Sequence, residues 1–367
     1  MKWKFYSLAF VAGMSILTAC SSDDNNDNDG NGGNGNGNEI ENGTILKGTI
    51  TSDVTLAAGN TYKLSGEYIV EEGATLHIEE GVKIIAVYDD IADYILVKQG
   101  GKINAVGTPD KPIVMTSEKE EPGAWGGIHI CGRAHTNAEG GKGSSEIGGA
   151  VYGGNDDADN SGTLQYIRLE YTGFAFDEEH EANGISFYSV GNGTIVDHCQ
   201  AYKGSDDGFE FFGGSVNVSN LVAVSCSDDS FDWTEGWNGK GTNLVAYQEA
   251  ESTLGYDCDC LMECDNNGSN NAATPVAHPV LKNLILVGNG GSKQGIRLRA
   301  GTEVEIDNAK VCGKGQPLTV ETALTENALK NGTSKLTNIT LTSELSSKEG
   351  IYTHADFIAV TSNKVDA

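Results

Sequence analysis

The sequence has little proline and few basic residues: 6 of its 367 residues are Pro, and 24 Lys and Arg stand against 52 Asp and Glu. The formal charge of −28 would repel a phosphate backbone, so a nucleic-acid-binding protein is excluded. It would equally repel an anionic membrane surface unless a covalent group held the chain there. After residue 20 no segment is long and apolar enough to cross a membrane as a helix, which excludes a helical transporter.

Glycine and alternating aliphatic residues are abundant instead. The chain has 49 Gly, and 38% of its residues are hydrophobic, which is enough for a core and excludes wholesale disorder. Many Gly, few Pro and regular Val/Ile alternation are typical of β structure with frequent turns. We predict an all-β protein with one folded domain over residues 44–367, because all-β folds often run this long as a single domain.

Residues 1–19 have the features of a bacterial lipoprotein signal peptide. Lys2 and Lys4 form a positive start, and residues 5–18 form an apolar run that is too short to span a bilayer. The run ends in the letters LTAC, which resemble a lipobox, so we expect cleavage before Cys20 and lipid on that cysteine. The alternative is a secretory signal followed by a chance cysteine.

Residues 20–43 are predicted to be a disordered acidic tether. Between residues 21 and 39 the chain has Ser, Asp, Asn, Gly and Glu but no aliphatic residue, so it cannot bury surface. The acidic letters SDD that follow Cys20 resemble the surface-export signal of Bacteroidetes lipoproteins. They predict display on the outer face of the outer membrane; the alternative is an ordinary solvated linker.

Internal repeats decide the fold prediction. Several five-residue segments begin with Gly or Ser and have apolar residues at their second and fourth positions, which is the period of a β-strand. Two of them start at Gly208 and Ser230, 22 residues apart, which is one coil of a parallel β-helix. The other segments start at Gly127, Gly184 and Gly295.

A second marker runs in step with the strands. Asn precedes an aliphatic residue at positions 220, 243, 283, 308 and 338. Stacked Asn side chains at a coil corner can hydrogen-bond along the solenoid, so we interpret them as structural. A helical pattern over residues 319–329 predicts a short helix near the C-terminus.

The ordered motifs GATLHIEEGVKI, PGAWGGIHICGRA, GSDDGFEFFGG and DDSFDW resemble a family of β-helical lipoproteins and secreted proteins from Bacteroidetes. Members are often described as hypothetical lipoproteins and sometimes mislabelled as multidrug transporters. The resemblance covers nearly all of the mature chain. It implies a single-stranded, right-handed parallel β-helix, a pectate-lyase-like solenoid with loop insertions, and it brings no established activity.

The strongest functional signal is a set of carboxylates that the coil period stacks. The motifs SDDGFE and SDDSFD predict three stacked pairs: Asp206 over Asp228, Asp207 over Asp229, and Glu210 over Asp232. Equivalent residues of neighbouring coils lie about 4.7–4.9 Å apart. Like charges that close repel by about 1 kcal/mol or more even in a water-like dielectric. A hard cation, a guanidinium or a raised carboxylate pKa must offset this repulsion.

Three interpretations of the aspartates at 206, 207, 228 and 229 remain open. They could bind Ca²⁺ through carboxylate oxygens, the ligands that this ion prefers. They could form the paired acids of a polysaccharide hydrolase or lyase, with one carboxyl as acid and another as base. They could also be solvated turn residues whose side chains cap backbone N–H groups.

The outward side chains of the same strands predict a carbohydrate-binding face. Carboxylates, aromatic rings and guanidinium groups suit the hydroxyls and faces of sugars. The candidates are Glu210, Asp232, Tyr188, Phe212, Arg297, Arg299 and Trp237, the last chosen as an exposed aromatic beside Gly. For Tyr188 and Phe212 the alternative is a covering role beneath long loops.

The combined prediction is a surface lipoprotein that binds a glycan or another extracellular ligand without catalysis, with Ca²⁺ as a possible cofactor. The expected partners are extracellular polysaccharide and, through the lipid on Cys20, the outer membrane. One alternative is a polysaccharide hydrolase or lyase that uses the stacked carboxylates, and another is a structural or adhesion protein of the cell surface.

Overall fold

Alternating side chains and glycine turns give the chain a succession of short parallel strands. The computed structural model describes residues 38–89, 91–176 and 181–366. The predicted signal peptide, the predicted lipidated residue Cys20 and most of the predicted tether lie outside these ranges. The described residues belong to a single compact unit.

The first half of the described chain contains the following strands: β1 (Asn38–Ile40), β2 (Ile45–Ile50), β3 (Val54–Leu56), β4 (Thr61–Val70), β5 (Thr75–Ile78), β6 (Lys83–Ala86), β7 (Tyr94–Val97), β8 (Lys102–Val106), β9 (Ile113–Ser117), β10 (Ile128–Cys131), β11 (Gly143–Ser144), β12 (Val151–Tyr152), β13 (Gly162–Glu170), β14 (Ile185–Tyr188) and β15 (Ile195–Tyr202). A 3₁₀ turn covers Glu139–Gly141.

The second half continues with β16 (Phe209–Phe212), β17 (Asn217–Ser219), β18 (Val222–Val224), β19 (Phe231–Thr234), β20 (Lys240–Tyr247), β21 (Met262–Cys264), β22 (Val280–Val287), β23 (Gln294–Leu298), β24 (Glu305–Cys312), β25 (Gln316–Val320), β26 (Lys335–Leu341), β27 (Ser346–Ser347) and β28 (Lys364–Val365). Three helices accompany them: α1 (Glu251–Leu254), α2 (Ala323–Asn331) and α3 (His354–Ala359).

Each strand pairs in parallel with its equivalent one coil away, apart from the antiparallel pair β11–β12. The coils therefore have three faces, each formed by one ladder of parallel strands. The ladder that we call the third face runs through β7, β10, β14, β16, β19, β21, β23, β25 and β27. The other two ladders share the long strands β13, β15, β20, β22, β24 and β26, which bend at a corner. The predicted parallel β-helix is confirmed.

The corner within the long strands explains the repeated asparagines. Asn220, Asn243, Asn283, Asn308 and Asn338 all have positive φ, between 55° and 62°. This left-handed conformation is disfavoured for most residues but tolerated by Asn. The Nδ2 of Asn243 also donates to Oδ1 of Asn220 at 2.9 Å, and the next two Asn continue this chain at 3.0 and 2.8 Å. The Asn marker is therefore structural, as the spacing predicts.

The core lies inside the coils and is filled by the inward residues of all three faces. On the third face, Phe209 stacks on Phe231 with ring centres 5.6 Å apart, and Phe187 stacks on Phe211 at 5.0 Å. These side chains are buried. Burying each large apolar side chain contributes about 1.5–3 kcal/mol relative to leaving it exposed. Rings in equivalent positions therefore hold consecutive coils in register.

Two boundaries differ from the sequence prediction. Strand β1 lies within the predicted tether and pairs with β3, because Ile40 packs against the core and gives this segment an apolar contact. The predicted helix over 319–329 begins later, at Ala323, since Thr319 and Val320 belong to the ladder of β25. Among the described residues, no helix combines the length and apolarity that a membrane crossing would need.

Candidate functional site

One outward row on the third face carries three of the predicted site residues, Glu210, Asp232 and Arg297. Strand register aligns six side chains across consecutive coils: His129, Ser186, Glu210, Asp232, Glu263 and Arg297. Glu210 and Asp232 are direct partners, as the coil period predicts. Glu263 then stands between Asp232 and Arg297, so three carboxylates follow one another before the first positive charge.

The Asp-Asp turns before β16 and β19 link the coils through their second aspartate. The N–H of Asp229 donates to Oδ1 of Asp207 at 2.8 Å, and the N–H of Cys260 donates to Oδ1 of Asp229 at 2.6 Å. One coil earlier, Asn183 accepts from the N–H of Asp207 at 3.1 Å in the same way. One oxygen of each of these two aspartates therefore caps backbone, which leaves the other carboxylate oxygen for other chemistry.

Oxygens of the turns and of the row converge in three overlapping groups. In each group the ligand atoms lie within 4.8 Å of one another. The groups are Asp206–Asp207–Asp228, Asp207–Glu210–Asp232 and Asp229–Asp232–Glu263. Asp232 belongs to two of them, and its buried Oδ1 has no hydrogen-bond partner among the described residues. We call these seven residues the acidic cluster.

Burial and mutual repulsion raise the pKa values across the acidic cluster. Burial and then the charge of Asp228 raise the pKa of Asp206 to about 8. Burial and then Asp259 raise the pKa of Asp228 to about 6. For Asp207, Glu210 and Asp232 burial is again the first cause, neighbouring carboxylates add to it, and each pKa lies well above its ordinary range. Donors and positive charges within the protein therefore compensate the ionised forms only in part.

The two predicted arginines compensate only one end of the row. Arg297 contacts Glu263 at 2.8 Å and Glu321 at 3.2 Å. Arg299 contacts Glu263 at 2.5 Å and Asp265 at 2.7 Å. Both guanidinium groups are thus occupied by carboxylates that the sequence prediction does not include. At the other end, Glu210 receives a neutral donor, the Nδ2 of Asn183 at 2.5 Å.

Loops bring further carboxylates that the repeat pattern does not reveal. Glu146, from the segment between β11 and β12, accepts a hydrogen bond from the Tyr188 hydroxyl at 3.2 Å and raises the pKa of Glu210. Glu181, in the loop before β14, raises the pKa of Asp206 and of Asp228. Neither residue follows the coil period, so the sequence held no signal for them.

Trp237 is not the exposed aromatic residue that the sequence predicts. This side chain is 1% exposed, stacks on Phe211 with ring centres 4.2 Å apart, and donates its indole N–H to the carbonyl of Val216. The neighbouring glycine suggested exposure, but the ring points into the core. There it packs against another aromatic ring, and its indole N–H still has a hydrogen-bond acceptor.

Tyr188 and Phe212 do point outward, yet they are covered rather than displayed. Their rings stack 4.4 Å apart, and Tyr188 is 1% exposed. They belong to a second small apolar cluster with Tyr94, Leu96, Cys131, Ile147 and Tyr152, beneath the loops that follow β10. The alternative interpretation of these two residues, cover under long loops, fits their positions; contact with a ligand stays a prediction.

The residues of the acidic cluster can perform two kinds of chemistry. They offer oxygen donors only, which suits a hard divalent cation such as Ca²⁺ better than a soft metal. The burial of Asp232 Oδ1 without a donor fits a group that a cation would satisfy. They also place carboxyls of different pKa beside one another, which is the requirement for paired acid and base.

The chain matches the family described as pectate-lyase-like beta helix domain over residues 48–367, and it belongs to that family. No curated protein matches the chain significantly. No solved structure matches it significantly either. The family description supports the β-helix.

Proposed function

We propose that this member of the pectate-lyase-like β-helix family is a cell-surface protein that binds an extracellular ligand, a glycan in the first place, with Ca²⁺ held by the acidic cluster. The observation that carries the proposal is the convergence of three carboxylates, the buried Asp207 and the half-buried Glu210 and Asp232, whose oxygens lie within 4.8 Å of one another. Asp232 Oδ1 in particular has no donor among the described residues. A bound cation would supply the missing positive charge.

The surface location is part of the proposal and rests on the sequence before the described residues. The lipobox ending at Cys20 would attach the chain to the outer membrane by lipid, and the acidic letters SDD that follow favour its outer face. A lipid anchor with more than one acyl chain holds a protein stably at a membrane. The assignment to a Bacteroidetes family of surface lipoproteins belongs to the same proposal.

Because the arginines are paired with carboxylates and the aromatic rings are covered, these groups limit the ways in which a ligand could be held. Since Arg297 and Arg299 already pair with carboxylates, a bound cation would be the main attractive group on this face. Ca²⁺ accepts 6–8 oxygen ligands, more than three carboxylates supply through one oxygen each, so hydroxyl or carboxylate oxygens of a ligand could complete its shell. A net charge of −28 also makes direct contact with an anionic glycan unfavourable without such a cation.

The cation is tested by thermal unfolding of the full chain in detergent with Ca²⁺ or with EDTA. At saturating Ca²⁺ we expect a rise in melting temperature of about 5 °C, since a ligand that binds the folded state stabilises it. Asp232→Asn should abolish the rise, whereas Asp110→Asn, which changes an exposed carboxylate on another coil, should keep it. If Ca²⁺ does not raise the melting temperature of the unchanged chain, the proposed cation site is refuted.

Ligand binding needs a separate experiment, because a cation could be purely structural. The same preparation is applied to a glycan array with Ca²⁺ and with EDTA. We expect binding that EDTA removes and that Asp232→Asn removes, with Asp110→Asn as the matched control. Glycan binding that persists in EDTA would show that no cation is needed for binding. A Ca²⁺-dependent melting shift without any bound glycan would show that the cation has only a structural role and would reject glycan binding.

A hydrolase or lyase is the second candidate, and one observation favours it. Burial raises the pKa of Asp206 to about 8 and that of its neighbour Asp228 to about 6, so Asp206 is the carboxyl of this pair that holds a proton more strongly. Retaining glycosidases place such a pair about 5–5.5 Å apart. The test is release of reducing ends from polysaccharides: Asp206→Asn should remove at least about 100-fold of any activity. Unchanged turnover in that variant would reject the paired-acid mechanism.

A further inference from the structure

A buried lysine contacts the insertion that carries α1, outside the acidic cluster. Lys314, in the turn between β24 and β25, is only 5% exposed. Its Nζ donates to the carbonyl of Cys258 at 2.9 Å and to Oδ1 of Asn289 at 3.0 Å, and both acceptors are uncharged. Lysine is almost never fully buried unless a carboxylate pairs with it, so this environment is unusual.

The side-chain amide of Asn289 is held on both sides. Its Oδ1 accepts the backbone N–H of Gly291 at 3.0 Å, in addition to the Lys314 amine. Its Nδ2 donates to Oδ1 of Asp257 at 2.8 Å. A nucleophilic nitrogen, a donor to the carbonyl oxygen and a carboxylate at the amide nitrogen therefore surround one amide carbon. A small swing of the lysine would bring Nζ to the attack distance of about 3–3.5 Å.

We propose that Lys314 and Asn289 form an intramolecular isopeptide bond, with Asp257 as the proton carrier. The neutral amine attacks Cγ of Asn289, the Nζ–Cγ bond forms, and the Cγ–Nδ2 bond breaks. The proton released from Nζ passes through the Asp257 carboxylate to Nδ2, which leaves as ammonia. The N–H of Gly291 stabilises the negative oxygen of the tetrahedral intermediate, as in an oxyanion hole. Atoms balance without an oxidant or a cofactor.

The electrostatics of the two ionisable groups support these roles. Burial lowers the pKa of Lys314, which increases the share of neutral, nucleophilic amine. Burial acts to raise the pKa of Asp257, but hydrogen bonds from Asn289 and from the backbone N–H of Cys258 outweigh it and hold that pKa below its usual range. Asp257 is therefore ionised and able to accept the proton.

The bond would connect consecutive coils covalently. Asn289 follows β22 and Lys314 follows β24, 25 residues later. A cross-link of this length restricts the unfolded chain and so favours the folded state. It would fasten the coil beside the long insertion, where the Lys314 amine also contacts Cys258. The proposal is independent of the cation and of the proposed ligand.

Peptide mass mapping of the full chain tests the bond. Trypsin should fail to cleave after Lys314, and peptide 283–293 should appear joined to peptide 311–330. The joined mass should be about 17 Da below the sum of the two peptides, the mass of ammonia. Separate peptides of unmodified mass, with normal cleavage after Lys314, would overturn the proposal.

Variants separate the bond from its closest chemical alternative. Because Gly290 follows Asn289, a cyclic imide at that dipeptide would lose the same mass without joining peptides. Lys314→Arg keeps a cation but cannot form the amide, so the mass loss must disappear; its persistence would reject the cross-link. The matched control Lys293→Arg, an exposed lysine of the same region paired with Asp259, should keep the joined peptide. Asp257→Ala should slow its formation at least about tenfold.

Discussion

Two carboxylates with buried oxygens, Glu326 and Asp232, have opposite hydrogen-bonding environments. Glu326 in α2 is fully buried, and its carboxylate accepts four hydrogen bonds. The donors are the N–H groups of Glu349, Ile351 and Tyr352 and the hydroxyl of Ser347, at 2.8, 2.6, 3.0 and 2.8 Å. Asp232 stands instead between Glu210 and Glu263, and its Oδ1 has no donor among the described residues.

The difference shows that donors, rather than burial alone, decide what a buried carboxylate does. Burial acts to raise the pKa of both groups, but backbone N–H groups outweigh it at Glu326 and lower that pKa. At Asp232 the charges of Glu263 and Asp265 add to burial, and the pKa rises well above its ordinary range. Glu326 is complete within the fold, whereas Asp232 requires a proton or a cation from outside.

The largest change in stability is expected at Glu326, whose carboxylate has hydrogen-bond donors. Glu326→Gln would turn an amide NH₂ towards backbone donors and remove the charge that they stabilise. We expect the free energy of unfolding to fall by about 3 kcal/mol, because hydrogen bonds to charged groups contribute about 1.5–3 kcal/mol each. Urea unfolding measures it, with the exposed Glu344→Gln as control. A loss no larger than that of the control would show that these hydrogen bonds contribute little.

The opposite sign is expected in the acidic cluster. In EDTA, Asp232→Asn should raise the free energy of unfolding by about 1 kcal/mol, since it removes one of several buried like charges. The exposed variant Asp110→Asn should have no effect in the same urea titration. Destabilisation by Asp232→Asn would mean that this carboxylate already has a compensating partner, and the contrast with Glu326 would fail.

A smaller and more gradual effect is expected with pH. Since the pKa of Asp206 is about 8 and that of Asp228 about 6 in the folded state, the folded protein binds more protons than the unfolded chain between about pH 4 and pH 8. Stability in EDTA should therefore fall as pH rises through this window. Glu326 has the opposite effect on the pH dependence of stability. Because its pKa is lowered in the folded state, the stability that it contributes is lost as pH falls below about 4.

The measurement for this prediction is melting temperature against pH, with EDTA and with Ca²⁺. Bound Ca²⁺ requires ionised carboxylates, so it should reverse the fall above about pH 6. A flat profile in EDTA would indicate that the acidic cluster is not strained by charge. A profile that rises with pH in EDTA would contradict the raised pKa values directly.

Much of the site's frame could be predicted because it follows from repetition. The motif spacing aligned Glu210 with Asp232, and the structure has them as direct partners. Glu263 was not predicted as a member of the row, because the insertion before β21 lengthens its coil and carries no SDD motif. Trp237 was assigned wrongly because an aromatic ring beside glycine has no period that tells whether the next coil covers it.

Helices and loops were harder to predict than coils for the same reason. The strand β25 extends into the segment that reads as helical, since pairing with β23 outweighs local propensity at Thr319. Glu146 and Asn183 reach the site through contacts with residues more than twenty positions away. Such contacts leave no local pattern in one sequence.

The repeats alone dictate that the chain forms coils and which carboxylates of the SDD motifs share a row. Alternation and a period of about 22 residues are properties of neighbouring residues, and stacking follows from them. The protonation state of those carboxylates depends instead on the folded structure. Their pKa values depend on burial and on groups such as Asn183 and Arg299, which distant parts of the chain deliver. Because Glu326 and Asp232 differ in these neighbours, the pKa of Glu326 is lowered and that of Asp232 is raised.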